Sequence, residues 1–273
     1  MFEPLSAARI TMVTGVDTPL GFATARRLAA DGAAVILHAT DKERAEEVLE
    51  ALVQTGIPVA RLHIVHADFS KLTEVDELAA TLAATVPCLH ALINASSIPG
   101  GERRSRTADG YETTLQINYL APQRLIAALA PAVAAARGRV VTVSSPLHVG
   151  GTVDYSDLDR NRGIYTPMAV YAQFKLALTM FTRTLAETGP EGLTAVSVHP
   201  ADFEIDMPQL RSHVDAPMDD AADLLAMYSA SGAPVVNGGY YEGTRPARPA
   251  ALVRNSRARA RLAAWTNQQY TTA

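Results

Sequence analysis

The chain has 273 residues, with 24 basic and 28 acidic side chains and a net charge of -4 at pH 7. That is chain enough to bury a core without staples, and 48% hydrophobic with 19% charged residues excludes a disordered polypeptide. Phosphate-backbone binding needs clustered Lys and Arg; the arginines from Arg254 to Arg261 alternate with Ala and Ser as on a solvated helix face, so no nucleic-acid partner is expected.

In chain order, short β-branched runs at Ile10 to Thr14, Ala34 to His38, Val59 to His66, Leu89 to Asn94, Arg139 to Ser144 and Leu193 to His199 predict buried parallel strands. Between them, residues 20–31, 41–55, 71–85, 109–136 and 167–188 have helical spacing. Strands and helices alternating in this way predict an α/β fold, a doubly wound parallel sheet with helices on both faces. After residue 200 the pattern loosens, then offers a helix near 218–230, a short strand around Tyr240 and a terminal helix near 255–267. One domain over 1–273 is expected. Its loop at about 200–217 would cover a substrate, with apolar contacts from Phe203, Met207, Leu210 and Met218, and 232–273 would form a C-terminal extension.

Cys88 is the single cysteine, so no intramolecular disulfide is available, and no Cys/His spacing resembles a zinc site. His63, His66 and His148 are therefore read as surface or loop histidines, and no metal is expected. The start, Met1-Phe2-Glu3-Pro4, lacks a signal-peptide pattern, and no apolar run reaches the roughly 18 to 20 residues that span a bilayer. A soluble, cytoplasmic protein without a membrane partner is the expectation.

The first strand runs into Thr14-Gly15-Val16-Asp17-Thr18-Pro19-Leu20-Gly21 and then a helix. A glycine-bearing strand-to-helix turn brings backbone N–H groups and the positive helix end to a phosphate. Pro19 suits the first helical turn but removes one N–H from such a cradle. Asp17 is expected to cap the helix through backbone N–H groups. The second strand ends Leu37-His38-Ala39-Thr40, without the carboxylate that holds the ribose hydroxyls of NAD. With Thr40, Lys42 and Arg44 nearby, the uncharged end leans toward the 2′-phosphate of NADP. The alternative is that these are helix-start residues on a solvated face, Asp41 being the N-cap.

Tyr171-Ala172-Gln173-Phe174-Lys175 puts a phenol and an ammonium one helical turn apart on one face. A neighbouring cation favours phenolate, so a lowered Tyr171 pKa is expected, useful for moving a proton to or from a substrate oxygen. Lys175 is one of only three lysines, with Lys42 and Lys71.

Taken together, the chain resembles the short-chain dehydrogenase/reductase superfamily, nearly end to end and with the motifs in order. Thr14-Gly15…Gly21 is similar to its glycine motif, Asp68 to the acid at the adenine, and Asn94-Ala95-Ser96 to its Asn-Ala-Gly. Asn118, Ser145, Tyr171 and Lys175 match its catalytic tetrad, and His199-Pro200-Ala201 its Pro-Gly near the nicotinamide. Pro19, Ser96 and Ala201 depart from family glycines. The segment Ser144-Ser145-Pro146-Leu147-His148, then Tyr155 to Leu158 and Tyr165, and the tail from Gly239 to Trp265 look like retinol-dehydrogenase-like and protochlorophyllide-reductase-like members, here a soluble bacterial one.

The resemblance implies a Rossmann fold and a cofactor, NADPH rather than NAD, held by Gly15, Asp17, Thr18, Leu20, Gly21, Thr40, Asp68, Asn94, Ala95, Tyr171, Lys175 and Pro200. It also implies that Ser145 hydrogen-bonds a substrate carbonyl, Tyr171 transfers the proton, Lys175 lowers the Tyr171 pKa and binds ribose, and Asn118 holds a water linked to Lys175. The expected activity is hydride transfer between NADP(H) and a medium-sized, partly apolar carbonyl compound or alcohol, a ketone of secondary metabolism being one candidate. Association through helices 109–136 and 167–188 into a homodimer or homotetramer is implied, a monomer being the alternative. A scaffold of this kind that binds a ligand, regulates, or runs a non-redox cyclisation is the competing reading.

Overall fold

The structure is a computed structural model that describes residues 9–200 and 218–271. Phe203, Met207, Leu210, Ala201 and nearly all of the expected substrate loop lie outside the described residues. Eight strands form one sheet in the order β3-β2-β1-β4-β5-β6-β7-β8. They are β1 Ile10–Thr14, β2 Ala34–Ala39, β3 Leu62–His66, β4 Ala91–Asn94, β5 Arg139–Val143, β6 Thr194–His199, β7 Tyr240–Glu242 and β8 Arg245–Pro246. Every neighbouring pair is parallel except β7 with β8. The sequence did not flag β8, which is two residues long and carries no alternation to detect.

The strands are apolar at successive positions because both faces are covered. Met12, Ile36, Leu92, Val140 and Ala195 pack on one face, with helices α3 Leu72–Thr85, α5 Ala121–Ala135 and α6 Pro167–Thr188. Val13, Leu37, Ile93, Val141 and Val196, each one residue later, pack on the other, with α1 Pro19–Ala30, α2 Lys42–Gln54 and α7 Met218–Ser229. This period-two partition is what a pleated strand imposes. The helix expected at 109–136 begins later, as the short α4 Thr113–Leu115, and passes through a π-helical turn at Gln116–Leu120 before α5. The strand expected from Val59 begins at Leu62, after a 3₁₀ turn over Val59–Arg61.

The strand order reverses between β1 and β4, whose last residues, Thr14 and Asn94, face each other across the ladder. A crevice opens at the carboxyl ends of strands at such a point, and ligands of doubly wound sheets bind there. The chain closes with α8 Ala251–Arg254 and α9 Ser256–Thr271. Helix α9 is tied to the rest by Tyr155 Oη donating to Ala258 O (2.8 Å), by Tyr119 Oη with Thr266 Oγ1 (2.6 Å) and by the Arg259–Glu187 ion pair.

Candidate active site

The glycine turn sits on one side of the crevice. Gly15 has φ +71°, and a Cβ there would fall 2.7 Å from the Ser96 Cα, so only glycine lets the two loops meet. At Gly21 a Cβ would fall 2.0 Å from the Gly15 carbonyl oxygen, which fixes how closely α1 abuts the turn. Thr18 is the N-cap: its hydroxyl accepts from Gly21 N (3.2 Å) and donates to Gly15 O (2.7 Å). Pro19 is exposed at the first helical position, where its missing N–H breaks no helix bond. None of the turn's hydrogen bonds uses the Leu20 N–H.

Asp17 does not cap the helix as expected, since Thr18 holds that position. Its Oδ2 instead crosses to the end of β2 and accepts from Thr40 N (3.2 Å) and Thr40 Oγ1 (2.8 Å). Beneath the turn, buried His38 accepts from Gly15 N at Nδ1 (3.4 Å) and donates from Nε2 to Ala67 O (3.2 Å). Burial pushes its pKa down to about 4, so the ring is neutral. The sequence reading missed His38 because nothing in an apolar strand marks which polar residue turns beneath a loop. Asp68, next to Ala67, accepts from Ser70 N (2.8 Å) and stands 3.6 Å from Lys71 Nζ, lining an open cleft of about 750 Å³ beside Thr40.

On the facing side, Thr14 Oγ1 donates to Asn94 Oδ1 (3.1 Å) and accepts from Ser96 N (3.2 Å). This fixes the Asn94 amide. Its Nδ2, on a residue only 1% exposed, has no hydrogen-bond partner among the described residues. An orphaned buried donor is costly unless a ligand accepts from it. Ala95 is buried beside it, and Pro200, following β6, is buried as well.

Asn118 lies at the centre of the π turn, a local unwinding common at functional sites. Both ends of its amide are committed: Oδ1 accepts from Ile98 N (2.9 Å) and Nδ2 donates to Ile98 O (2.8 Å). It therefore clamps the loop that follows β4. Ser144 turns its hydroxyl to Thr179 (2.9 Å), while Ser145 caps the 3₁₀ turn Pro146–Gly150 by accepting from Leu147 N (3.3 Å).

Tyr171 and Lys175 share a face of α6, both 2% exposed, with Lys175 Nζ 5.4 Å from the centre of the Tyr171 ring. Lys175 Nζ donates to Val143 O (2.9 Å) at the end of β5. Burial lowers its pKa to about 7. The expected lowering of the Tyr171 pKa is reversed: burial raises it, the nearby Ser97 hydroxyl works weakly the other way, and a half-neutral amine exerts little pull. The phenol stays protonated, fit to give a proton.

His148 is fully buried, not a surface residue. Its Nδ1–H donates to Ser145 O (2.7 Å), its Nε2 accepts from Ala250 N (3.2 Å), and Tyr240 packs edge-on at 4.5 Å. The segment between Ser145 and Tyr171 is pinned too. Arg160 Nε donates to Gln173 Oε1 (2.7 Å), and Tyr165 Oη donates to Glu112 Oε1 (2.7 Å), a buried carboxylate that also accepts from Thr114 N and Leu115 N. Among the described residues no group of three His, Cys, Asp or Glu is placed to hold a metal, and no helix is long and apolar enough to cross a membrane.

A glycine turn into α1 at the switch point of a doubly wound sheet, and a buried Tyr-Lys pair on the helix beyond it, define a Rossmann-fold protein. Residues 9–215 match the family model of the short chain dehydrogenases, and the chain belongs to that family. It is 37% identical over 187 residues to the polyprenol dehydrogenase of Mus musculus, 67% of this chain and 55% of the relative. It is 33% identical over 196 residues to a Streptomyces protein named for daunorubicin C-13 ketoreduction, 71% of this chain and 66% of the relative. The matched part thus spans between about half and two thirds of these relatives. Among solved structures, an uncharacterized protein from Mycobacterium paratuberculosis superposes with a TM-score of 0.79 at 26% identity, over 96% of this chain and 93% of that one.

Proposed function

We propose that the protein is an oxidoreductase that moves hydride between a nicotinamide dinucleotide and a medium-sized, partly apolar carbonyl compound or alcohol. The observation that carries the reading is the buried Tyr171–Lys175 pair, with Lys175 held at the carboxyl end of β5 and the unpartnered Asn94 amide donor at the end of the adjoining β4. The turn suits the cofactor: the Leu20 N–H stands at the positive end of α1, and the buried Asn94 Nδ2 awaits an acceptor. When bound, the nicotinamide supplies or accepts the hydride, the hard chemistry that the protein itself lacks.

The chain's own residues position and protonate. Ser145 donates its hydroxyl proton to the substrate oxygen while the same oxygen keeps accepting from Leu147 N. Tyr171, kept protonated by burial, gives that oxygen a proton in the reductive direction. Lys175, braced on Val143 O, holds the ribose. Asn118 fixes the loop from Asn94 to Ile98, which forms the wall facing Tyr171. The relatives' names, a polyprenol dehydrogenase and a protein named for ketoreduction, support an apolar alcohol or ketone as the substrate class.

The NADP(H) preference drawn from an uncharged end of β2 has less support, because Asp17 brings a carboxylate there. Titration of NADH and NADPH fluorescence against the full chain tests the reading: binding in the micromolar range supports it. Failure of both at millimolar concentration would turn the assignment to a ligand-binding or non-redox role for the same pocket.

A further inference from the structure

The end of β2 has Ala39 and Thr40 and no acid of its own, yet the folded protein has one there. Asp17, two residues after Gly15 in the phosphate-binding turn, directs its half-buried carboxylate to Thr40 N (3.2 Å) and Thr40 Oγ1 (2.8 Å). Both donors converge on Oδ2, which leaves Oδ1 able to accept from a ligand. The turn that would hold a pyrophosphate and the residue beside the adjoining ribose are thus one segment of chain, and the orphaned Asn94 Nδ2 marks the other end of the same crevice.

The cations near this strand end each stand beside a carboxylate, in exposed pairs. Lys42 Nζ lies 3.4 Å from Glu46, Arg44 Nε lies 3.7 Å from Asp41, and Lys71 Nζ lies 2.8 Å from Glu74 and 3.6 Å from Asp68. The cleft beside Thr40 presents Lys42 and Lys71 against Asp41, Asp68, Glu74 and Glu77. A dianionic 2′-phosphate would meet these paired cations and, at Thr40, a carboxylate.

We infer that Asp17 reads the adenosine ribose: its free oxygen accepts from a 2′-hydroxyl and repels a 2′-phosphate, so the protein takes NAD(H) in preference to NADP(H). An acceptor-only carboxylate suits a hydroxyl donor, and like charges held together in a site are a device for excluding the wrong partner. The inference rests on the dehydrogenase reading above and names the cofactor of that site.

Calorimetric titration of the full chain with NAD⁺ and NADP⁺ tests it. The native protein should bind NAD⁺ about tenfold more tightly or better. Asp17→Asn, which keeps an oxygen for Thr40 and removes the charge, should shrink the ratio by a similar factor, and Thr40→Arg should reverse it. Tighter binding of NADP⁺ by the native chain, or an unchanged ratio in Asp17→Asn, overturns the inference and leaves the dehydrogenase reading standing. Should Asp17→Asn not fold, Thr40→Arg and the native ratio decide. Failure of the native chain to bind either dinucleotide overturns both readings.

Discussion

At the scale of single residues, chemistry follows from where a group is buried more than from its sequence neighbours. Tyr171 and Lys175 are one turn apart, which by itself argues for a lowered phenol pKa. Burial reverses the sign for the phenol and brings the amine to about 7. Tyr171→Phe should lower kcat on the order of 10²–10⁴-fold while leaving dinucleotide affinity within a factor of about three. Steady-state turnover and fluorescence titration of one preparation check this, and a fully active variant would remove Tyr171 from the mechanism. Lys175→Arg keeps a charge but brings a planar fork into a site fitted to one point donor on Val143 O, and its guanidinium stays charged at every working pH. It should lose turnover on the order of 10²-fold, and any activity dependence centred near pH 7 in the native enzyme should disappear.

At the scale of elements, the catalytic half depends on contacts far apart in sequence. His148 links the backbone of Ser145 to Ala250, so the C-terminal segment reaches the serine through one imidazole. His148→Phe would keep the packing against Tyr240 and leave the Ala250 N–H unpaired in the interior, Ser145 O keeping its bond from the backbone N–H of residue 148 (3.1 Å). A loss of about 1–3 kcal/mol in urea unfolding is expected, with kcat falling further than KM rises. A loss below about 0.5 kcal/mol, within the range of ordinary surface substitutions, would mean that water replaces the bond to Ala250. The π turn at Asn118 belongs to the same scale. The sequence marks a helix there, and only packing against the loop at Ile98 shows what the asparagine does with its amide.

At the scale of the whole molecule, two expectations follow. Every residue of α6 from Tyr171 to Met180 is buried within one chain, and α9 lies against α6 and the π turn. A helix buried all round offers no face to a second copy. Light scattering in solution should therefore give the mass of one chain, against the expected association through the two long helices; a dimer lost on mutating α6 would refute this. The second expectation concerns acid. His38 has a folded pKa of about 4 against an unfolded value near 6.5. Between those values the unfolded chain binds more protons, so the stability linked to His38 is complete above pH 6.5, falls as pH drops toward 4 and is level below it. From pH 7 to pH 5 its share is about 2 kcal/mol. His38→Asn, which retains a donor and an acceptor, should flatten the pH dependence of urea unfolding by about that amount. An unchanged slope would mean that the ring is hydrated in the folded state.

The sequence by itself determined the parallel strands β1 to β6, their alternation with helices along the chain, and the residues that match the family's tetrad. These follow from hydrophobic period and from short motifs, both of which are local properties of the chain. It also placed α1, α2, α3 and α6 within a residue or so of their observed bounds, because helical period is local and an N-cap such as Asp41 is written beside the helix it starts. Tertiary structure decided the rest. Asp17 meets Thr40 because the ends of β1 and β2 lie side by side in register, 23 residues apart in sequence. His38 turns under the glycine turn, and His148 reaches Ala250, because side chains from distant segments meet in the interior. The pKa directions of Tyr171 and Lys175 likewise come from desolvation, which depends on everything that surrounds a group and so cannot be read from the three residues between them.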